Sequence, residues 1–565
     1  MDDLVIRGGS VIDGSGAPAR RADVSIKDGR IAAIGEGLPR GAEEIDASGR
    51  LVTPGFVDIH THYDGQAVWD SHLAPSAIHG VTTAVMGNCG VGFAPVRPGT
   101  EMQLIELMEG VEDIPAPVLS QGLDFKWESF AEYLAVLDAK PRDIDICALV
   151  PHAAVRVYVM GERALALENA NQGDIAEMRR LVAEAVEAGA FGFSTSRTIS
   201  HKTLKGDFTP TLRAQEEELS GIADGLRAVG RGFMEFVSDF NQPDPATEFG
   251  LIRRVVERSG RPAVFSLTQR HDRTEVWKEL LALSNQAARD GVQIRPVFPP
   301  RPIGILMGLL GSQNPFSGAP SYKAIAHLPV DQRVAAMRDP ATRARILSED
   351  RFAGSNFPLL TRLSFDRMFP FGDPPDYTPP KESSIGAQAA REGRAPEEVA
   401  YDMLLADEGQ SFIFCALTNY ADYTVDASEE LLRHPNTIVG LSDGGAHVGF
   451  ISDGSFPSHL LAYWGKRRGM KVEELVRRQT SDTARAAGLH DRGLLKPGLR
   501  ADINVIDWDA LALDRPGMLY DLPGGGRRLM QTVRGYDATI VAGAVTYRHG
   551  EATGALPGKL VRCPA

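Results

Sequence analysis

Residues 174–196 read DIAEMRRLVAEAVEAGAFGFSTS, and their pattern decides the fold. From Asp174 to Ala188, the residues Ile175, Met178, Leu181, Val182, Ala185 and Val186 recur at the spacing of one helix face, and Gly189 supplies the C-terminal stop. The apolar run GAFGFSTS then reads as a buried strand. Seven more runs of that kind can be counted along the chain: GFVDIHTH (55–62), VTTAVMGNCG (81–90), DICALVPHAA (145–154), GRGFMEFVSD (230–239), RPAVFSLTQ (261–269), VQIRPVFPP (292–300) and TIVGLSDGG (437–445). Most are separated by helical stretches. Eight βα units in order predict an α/β chain with a (β/α)8 TIM-like barrel over residues 53–489, whose chemistry sits where the strands end.

Outside that middle the periodicity changes. ADVSIKDGRIAAIG (22–35) reads as two alternating strands joined at Asp28-Gly29, a strong hairpin signal. LLKPGLRADINVID (494–507) and DATIVAGAVTYRHG (537–550) are again strand and turn. Residues 1–52 and 490–565 are therefore two β segments, either separate caps or one sandwich built from both termini. The connection from the seventh run to the eighth, roughly 300–437, far exceeds ordinary loops of about 4–6 residues. It contains PFGDPPDYTPPKE (370–382), too rich in proline for regular structure. An insertion there is placed to act as a lid, and the aromatics of SFDRMFPFGDPPDYTPP (364–380) suit the wall of a pocket for an apolar group.

Bulk properties remove several classes of function. A chain of 565 residues, 43% hydrophobic and 24% charged, suits a large barrel plus a smaller module. A net charge of −14 without long runs disfavours a nucleic-acid partner. No window reaches the apolar length of a membrane span, and MDDLVIRGG, acidic and then strand-like, is not expected to act as a signal peptide. Four scattered cysteines make no disulfide framework, so a cytoplasmic setting is expected. Self-association into a homo-oligomer stays open.

His60 and His62 close the first strand two residues apart, hence on one face. Burying two imidazoles is costly unless their nitrogens are occupied, and a metal ion is the usual occupant. Asp443 closes the eighth strand, a neighbour of the first in a closed barrel. Two imidazoles and a carboxylate make a three-ligand set with a position open for water, whose pKa zinc lowers towards neutrality. Asp443 can then take the proton and deliver it to a leaving nitrogen. The plainer alternative makes the histidines hydrogen-bonded core residues and Asp443 a cap.

The stretches VTPGFVDIHTHYDGQ, GVTTAVMGNCGVGFAP, LVPHAAVRVYVMG, GAFGFSTS and LSDGGAHVG with RGLLKPGLRADINVID together resemble the amidohydrolase superfamily, most closely its D-aminoacylase (N-acyl-D-amino-acid deacylase) branch. The resemblance covers nearly the whole chain apart from the insertion. It implies a TIM-like barrel, a composite β-sandwich from both termini and zinc-dependent amide hydrolysis. It makes His60 and His62 zinc ligands, Cys89 a thiolate ligand and Asp443 the general base. The chain also departs from that pattern. The fifth-strand segment GRGFMEFVSD has no histidine, VFSLTQ offers Leu267 and Gln269 where the family has a histidine and a substrate-holding lysine, and no carboxylated lysine is evident in GAFGFSTS. About one divalent ion per chain is therefore expected, with Cys89 either its fourth partner or an inert thiol. Glu235, near the missing fifth-strand ligand, is expected to meet solvent or a structural ion pair, with substitution as a ligand the alternative.

STSRTISHKTLKGD places Arg197, His201 and Lys202 on a loop after the fourth strand, to bind an anionic group of the substrate or to order the loop. His152 and Arg156 read as a polar brace, His271 as a surface residue, and His447 as a donor to a bound oxyanion. Three functions follow: a hydrolase of N-acyl amino acids or related small-molecule amides; a hydrolase of a cyclic amide such as a lactam, hydantoin or imide; and a non-catalytic barrel serving as a binding or scaffold protein. Metal content separates the third from the other two.

Overall fold

The computed structural model describes residues 1–240, 244–352, 364–451 and 453–564; part of the expected insertion, 353–363, lies outside the described residues. Five strands open the chain: β1 (Asp2–Val11), β2 (Arg20–Lys27), β3 (Arg30–Gly35), β4 (Gly41–Asp46) and β5 (Leu51–Pro54). The β2–β3 turn forms at Asp28-Gly29, whose φ angles of 50° and 71° are the left-handed pair that a two-residue hairpin needs.

All eight expected runs contain strands. They are β6 (Phe56–Asp58), β7 (Val81–Met86), β8 (Asp145–Ala148) with β9 (Val150–Pro151), β10 (Gly192–Arg197), β11 (Phe233–Ser238), β12 (Ala263–Ser266), β13 (Ile294–Phe298) and, after the insertion, residues 438–439. Pairing is parallel from β6 to β8 and from β9 to β13. Only Leu149 separates β8 from β9, and its N–H donates to Met86 O at 2.9 Å. The helix Gln172–Ala188 feeds β10 as its periodicity predicts. Asn171 and Asp174 form a capping box, Met178, Val182, Ala185 and Val186 are buried, and Gly189 ends the helix at φ 120°.

The insertion has a core of its own. Strands β14 (Ile303–Gly308), β15 (Met368–Phe371) and β16 (Phe412–Thr418) form an antiparallel sheet in the order β14–β16–β15. Ile305, Met307, Phe365, Tyr401 and Ile413 pack beneath it. Pro370 and Phe371 thus belong to a strand after all, an edge strand where proline is tolerated. Strand β17 (Ile438–Val439) then pairs with β13, and a parallel bridge joins Thr61 to Gly444. His62 N–H donates to Gly444 O at 2.8 Å. Val57, Val85, Cys147, Phe233, Val264, Val297 and Ile438 from these strands meet in one apolar cluster.

The last strands are β18 (Ile503–Ile506), β19 (Ala512–Leu513), β20 (Gly517–Leu522), β21 (Gly526–Met530), β22 (Val533–Arg534), β23 (Tyr536–Val541), β24 (Ala544–Arg548) and β25 (Glu551–Ala552). One sheet takes strands from both ends of the chain, in the order β25–β24–β23–β18–β5–β1–β2–β3, with β4 on β1. Strands β19 to β22 pair outside that sheet, and Leu529 N–H reaches Val448 O at 2.7 Å, beside the end of the eighth run. The C-terminal segment pairs with the start of β8 through Ile146 N–H to Lys559 O, 3.0 Å, and Val561 N–H to Ile146 O, 2.8 Å. Among the described residues no helix is long and apolar enough to cross a membrane.

Candidate metal centre

The carboxyl ends of β6 and β17 are stapled together before any ligand is considered. Asp58 accepts from His60 N–H at 3.2 Å, and its other oxygen accepts the Ser442 hydroxyl. Leu441 and Asp443 both adopt positive φ, 60° and 48°. Held that way, Asp443 Oδ1 lies 3.3 Å from His60 Nε2 and 3.6 Å from His62 Nε2.

Cys89 arrives from the turn after β7. Its φ of 54° is left-handed, and Gly87 and Gly90 on either side are left-handed as well. A side chain at Gly87 would meet Leu149 O at 2.4 Å, and one at Gly90 would meet the backbone of Ser196 at 2.8 Å. Only glycine fits those two places. Asn88 holds the turn through Thr61 O and Val85 O. The outcome is Cys89 Sγ 3.4 Å from His60 Nε2.

The donor atoms of His60, His62 and Cys89 lie within 4.8 Å of one another. A four-coordinate ion with bonds of about 2.1 Å sets its ligand atoms about 3.4 Å apart, so separations of 3.3 to 3.6 Å fit such an ion. Among the described residues, both nitrogens of His62 are buried without a hydrogen-bond partner. Burial pushes His60 and His62 down to about 3, which keeps both imidazoles neutral, the form a metal requires. The same burial pushes the Cys89 thiol up, so in the metal-free protein it stays protonated.

Two buried carboxyls stand behind these donors. Glu235, expected to meet solvent or an ion pair, instead accepts Cys89 N–H at 3.1 Å, with its Oε1 3.8 Å from His60 Nδ1. It is 2% exposed. Burial raises it to about 8. The expectation failed because parallel strands are covered on both faces, so a lone acid in FMEFV has no wet side to occupy. Glu112, which carries no motif to single it out, ends the helix Glu101–Glu112 beside His62 and His447.

A cavity of about 590 Å³ opens above the centre. His60, Cys89, Glu112, His201, Asp443 and His447 line it, and Val237, Leu267, Leu280 and Leu417 make its apolar wall. His201 is held by Ser196 Oγ at 2.8 Å. His271 corrects another expectation: it lines the cavity, and burial lowers it to about 4. Arg197 and Lys202 are not among the lining residues. Arg197 is committed to Glu248 at 2.8 Å and to Ala214 O, and Lys202 lies over the Phe208 ring at 4.4 Å, both ordering the loop. His152 and Arg156 share Glu218 in a buried brace, at 2.9 and 2.8 Å. The insertion contributes Ile303, Ser364, Arg367 and the 415–418 edge of β16 to the cavity. Its aromatics do not wall the site; Phe365, Phe369, Phe371 and Tyr377 are buried in the cores.

Residues 43–547 match the model of the amidohydrolase family. An uncharacterized protein of Mycobacterium tuberculosis is 29% identical over 97% of this chain and 92% of its own. The D-aminoacylase of Alcaligenes xylosoxydans xylosoxydans is 36% identical over 229 residues, 40% of this chain and 43% of that one. Among solved structures, the N-acyl-D-glutamate deacylase of Bordetella bronchiseptica, complexed with zinc and a phosphonate mimic of the tetrahedral intermediate, is 25% identical with a TM-score of 0.66 over 99% of each chain.

Proposed function

Because this chain belongs to the amidohydrolase family, and within it to the D-aminoacylase-like branch, we propose that it is a zinc-dependent hydrolase of N-acyl amino acids or closely related amides. The observation that carries this reading is the meeting of His60 Nε2, His62 Nε2, Cys89 Sγ and Asp443 Oδ1, of which His60, Cys89 and Asp443 line the cavity while His62 stands buried behind them. We assign these four residues to one ion per chain. When bound, such an ion supplies Lewis acidity for polarising a carbonyl and acidifying water. Asp443 Oδ1 faces the imidazoles, which leaves Oδ2 to take a proton and return it to the leaving nitrogen. His201 and His447 border the reacting centre as polar contacts for the substrate. The scaffold we propose is a closed (β/α)8 barrel at 53–489 with a composite β-sandwich from 1–52 and 490–565; the Thr61–Gly444 bridge and the β18–β5 pairing support it.

Arg367 favours an anionic substrate over a neutral cyclic amide. It lines the cavity, its hydrogen bonds go to the carbonyls of Tyr420 and Ala421, and its guanidinium lies 4.2 Å from the Tyr423 ring centre. No ion pair joins it to a carboxylate among the described residues. Strand β12 offers no lysine, so the cation would come from the insertion instead. The test is metal analysis of the purified protein together with turnover of N-acyl-D-amino acids, hydantoins and lactams. Stoichiometric metal with hydrolysis of the acyl amino acids is the expected result. Metal with turnover of cyclic amides alone would replace the substrate class, and no metal affinity would remove the hydrolase reading.

A further inference from the structure

We propose that Glu112 is a positioning residue of this centre, its two carboxyl oxygens orienting His62 and His447 together. The inference rests on the reading above that His62 is a metal ligand. Glu112 is 2% exposed, with Oε1 3.5 Å from His62 Nδ1 and Oε2 3.6 Å from His447 Nε2. His62 Nδ1 is buried without a hydrogen-bond partner among the described residues, and Glu112 Oε1 is the carboxyl oxygen beside it; the Cys89 thiol also lies against the Glu112 carboxyl. Closing that gap by a few tenths of an ångström makes an N–H···O bond. A proton fixed on Nδ1 leaves the lone pair on Nε2, the atom that faces Asp443.

Fastening the helix end does not require this side chain. His447 N–H already donates to Glu112 O, and Asp113 Oδ2 accepts Gly449 N–H at 3.1 Å and Ser312 Oγ at 3.2 Å. Backbone and neighbour hold the 447–449 loop against the helix, so burial of a carboxyl between two imidazoles serves a separate purpose. Carboxylates behind metal-bound histidines orient the ring and raise its basicity. Glu112 would do this for His62 while keeping the His447 ring at the cavity edge. Both sides of the centre would then be set from one helix terminus.

The test is Glu112→Gln, which keeps the shape but cannot accept from both rings. Metal affinity is read by competition with a chromogenic chelator, alongside the visible spectrum of the cobalt-substituted protein and the melting temperature of the metal-free form. The expected result is zinc binding about 10–100-fold weaker, by the usual effect of losing such a partner, with a shifted cobalt spectrum and a metal-free melting temperature that is unchanged or higher. Glu112→Asp, too short to reach both rings, gives an intermediate loss and serves if the Gln variant does not fold. Wild-type affinity and an unshifted cobalt spectrum in a folded variant would overturn the inference. His62→Ala separates the two readings. If the wild type binds zinc and His62→Ala does not, a neutral Glu112 result defeats Glu112 alone; if the wild type has no affinity, the metal reading falls with it.

Discussion

The two ends of the parallel strands treat buried charge in opposite ways. At the amino ends, Arg492 meets Asp145 at 2.7 Å and Thr83 Oγ1 at 2.8 Å, while Arg500 reaches the other oxygen of Asp145 at 2.9 Å and Asp502 at 3.0 Å. The backbone N–H of Lys559 completes that cluster at 2.8 Å. At the carboxyl ends, His62 Nδ1 and Nε2, Glu112 Oε1, Glu235 Oε1 and His447 Nδ1 are buried without a hydrogen-bond partner among the described residues. Leaving a buried polar atom unpaired costs roughly 1–3 kcal/mol, and among the described residues Arg142 Nε and Nη1 before β8 bear that cost too, so the ends differ in kind: ion pairs at one, imidazoles and carboxyls suited to a metal at the other.

If that contrast is right, His60→Ala gives the largest functional loss. Metal and turnover should both fall to background while the circular dichroism of the fold is retained; unchanged metal content would break the ligand assignment. Asp443→Asn comes next. Keeping most of the metal, it should lower kcat by roughly 10²–10⁴, the usual range for a lost general acid–base, and abolish the acidic limb of the pH–rate profile. Loss of metal in step with activity would make Asp443 a ligand first.

The opposite end sharpens the comparison. Arg492→Ala removes one partner of a buried pair and should destabilise the protein by about 3–5 kcal/mol, read as a lower denaturant midpoint. Its metal content should be that of the wild type. An effect on metal equal to the effect on stability would dissolve the distinction between the two ends. The smallest expected change belongs to Arg367→Gln. For an N-acyl amino acid KM should rise roughly 10–100-fold, the value of a hydrogen bond to a charged group of about 1.5–3 kcal/mol, with kcat little altered. Equal kinetics in the variant would leave the anionic group of the substrate without its proposed partner.

How much of this could be read from the sequence depended on whether the signal was local. His60 and His62 declare themselves because period two places them on one face of a strand. Cys89 sits between glycines whose turn the structure requires. Glu112 has no such mark: it is one acid in MEGVED at a helix end, and only the packing of Glu101–Glu112 against the 447–449 loop gives it meaning. Arg197 and Lys202 misled in the other direction, since a cationic loop looks the same whether it faces substrate or Glu248 and Phe208. The aromatics at 364–380 read as a pocket wall because proline-rich sequence hides the fact that a domain-sized insertion needs a core of its own.

The sheet shared between the two ends of the chain also sets a schedule. Thr53 on β5 pairs with Asn504 on β18, 451 positions later. A ribosome adding about 5–20 residues per second would need roughly 20–90 s to supply that partner. Until then β5 has β1 on one side and an open edge on the other, the kind of surface that templates misassembly. A chain released before residue 503 would carry His60, His62, Cys89 and Asp443 complete, yet keep that edge bare. Synthesis of β18 therefore decides when the edge beside the site's own scaffold is closed.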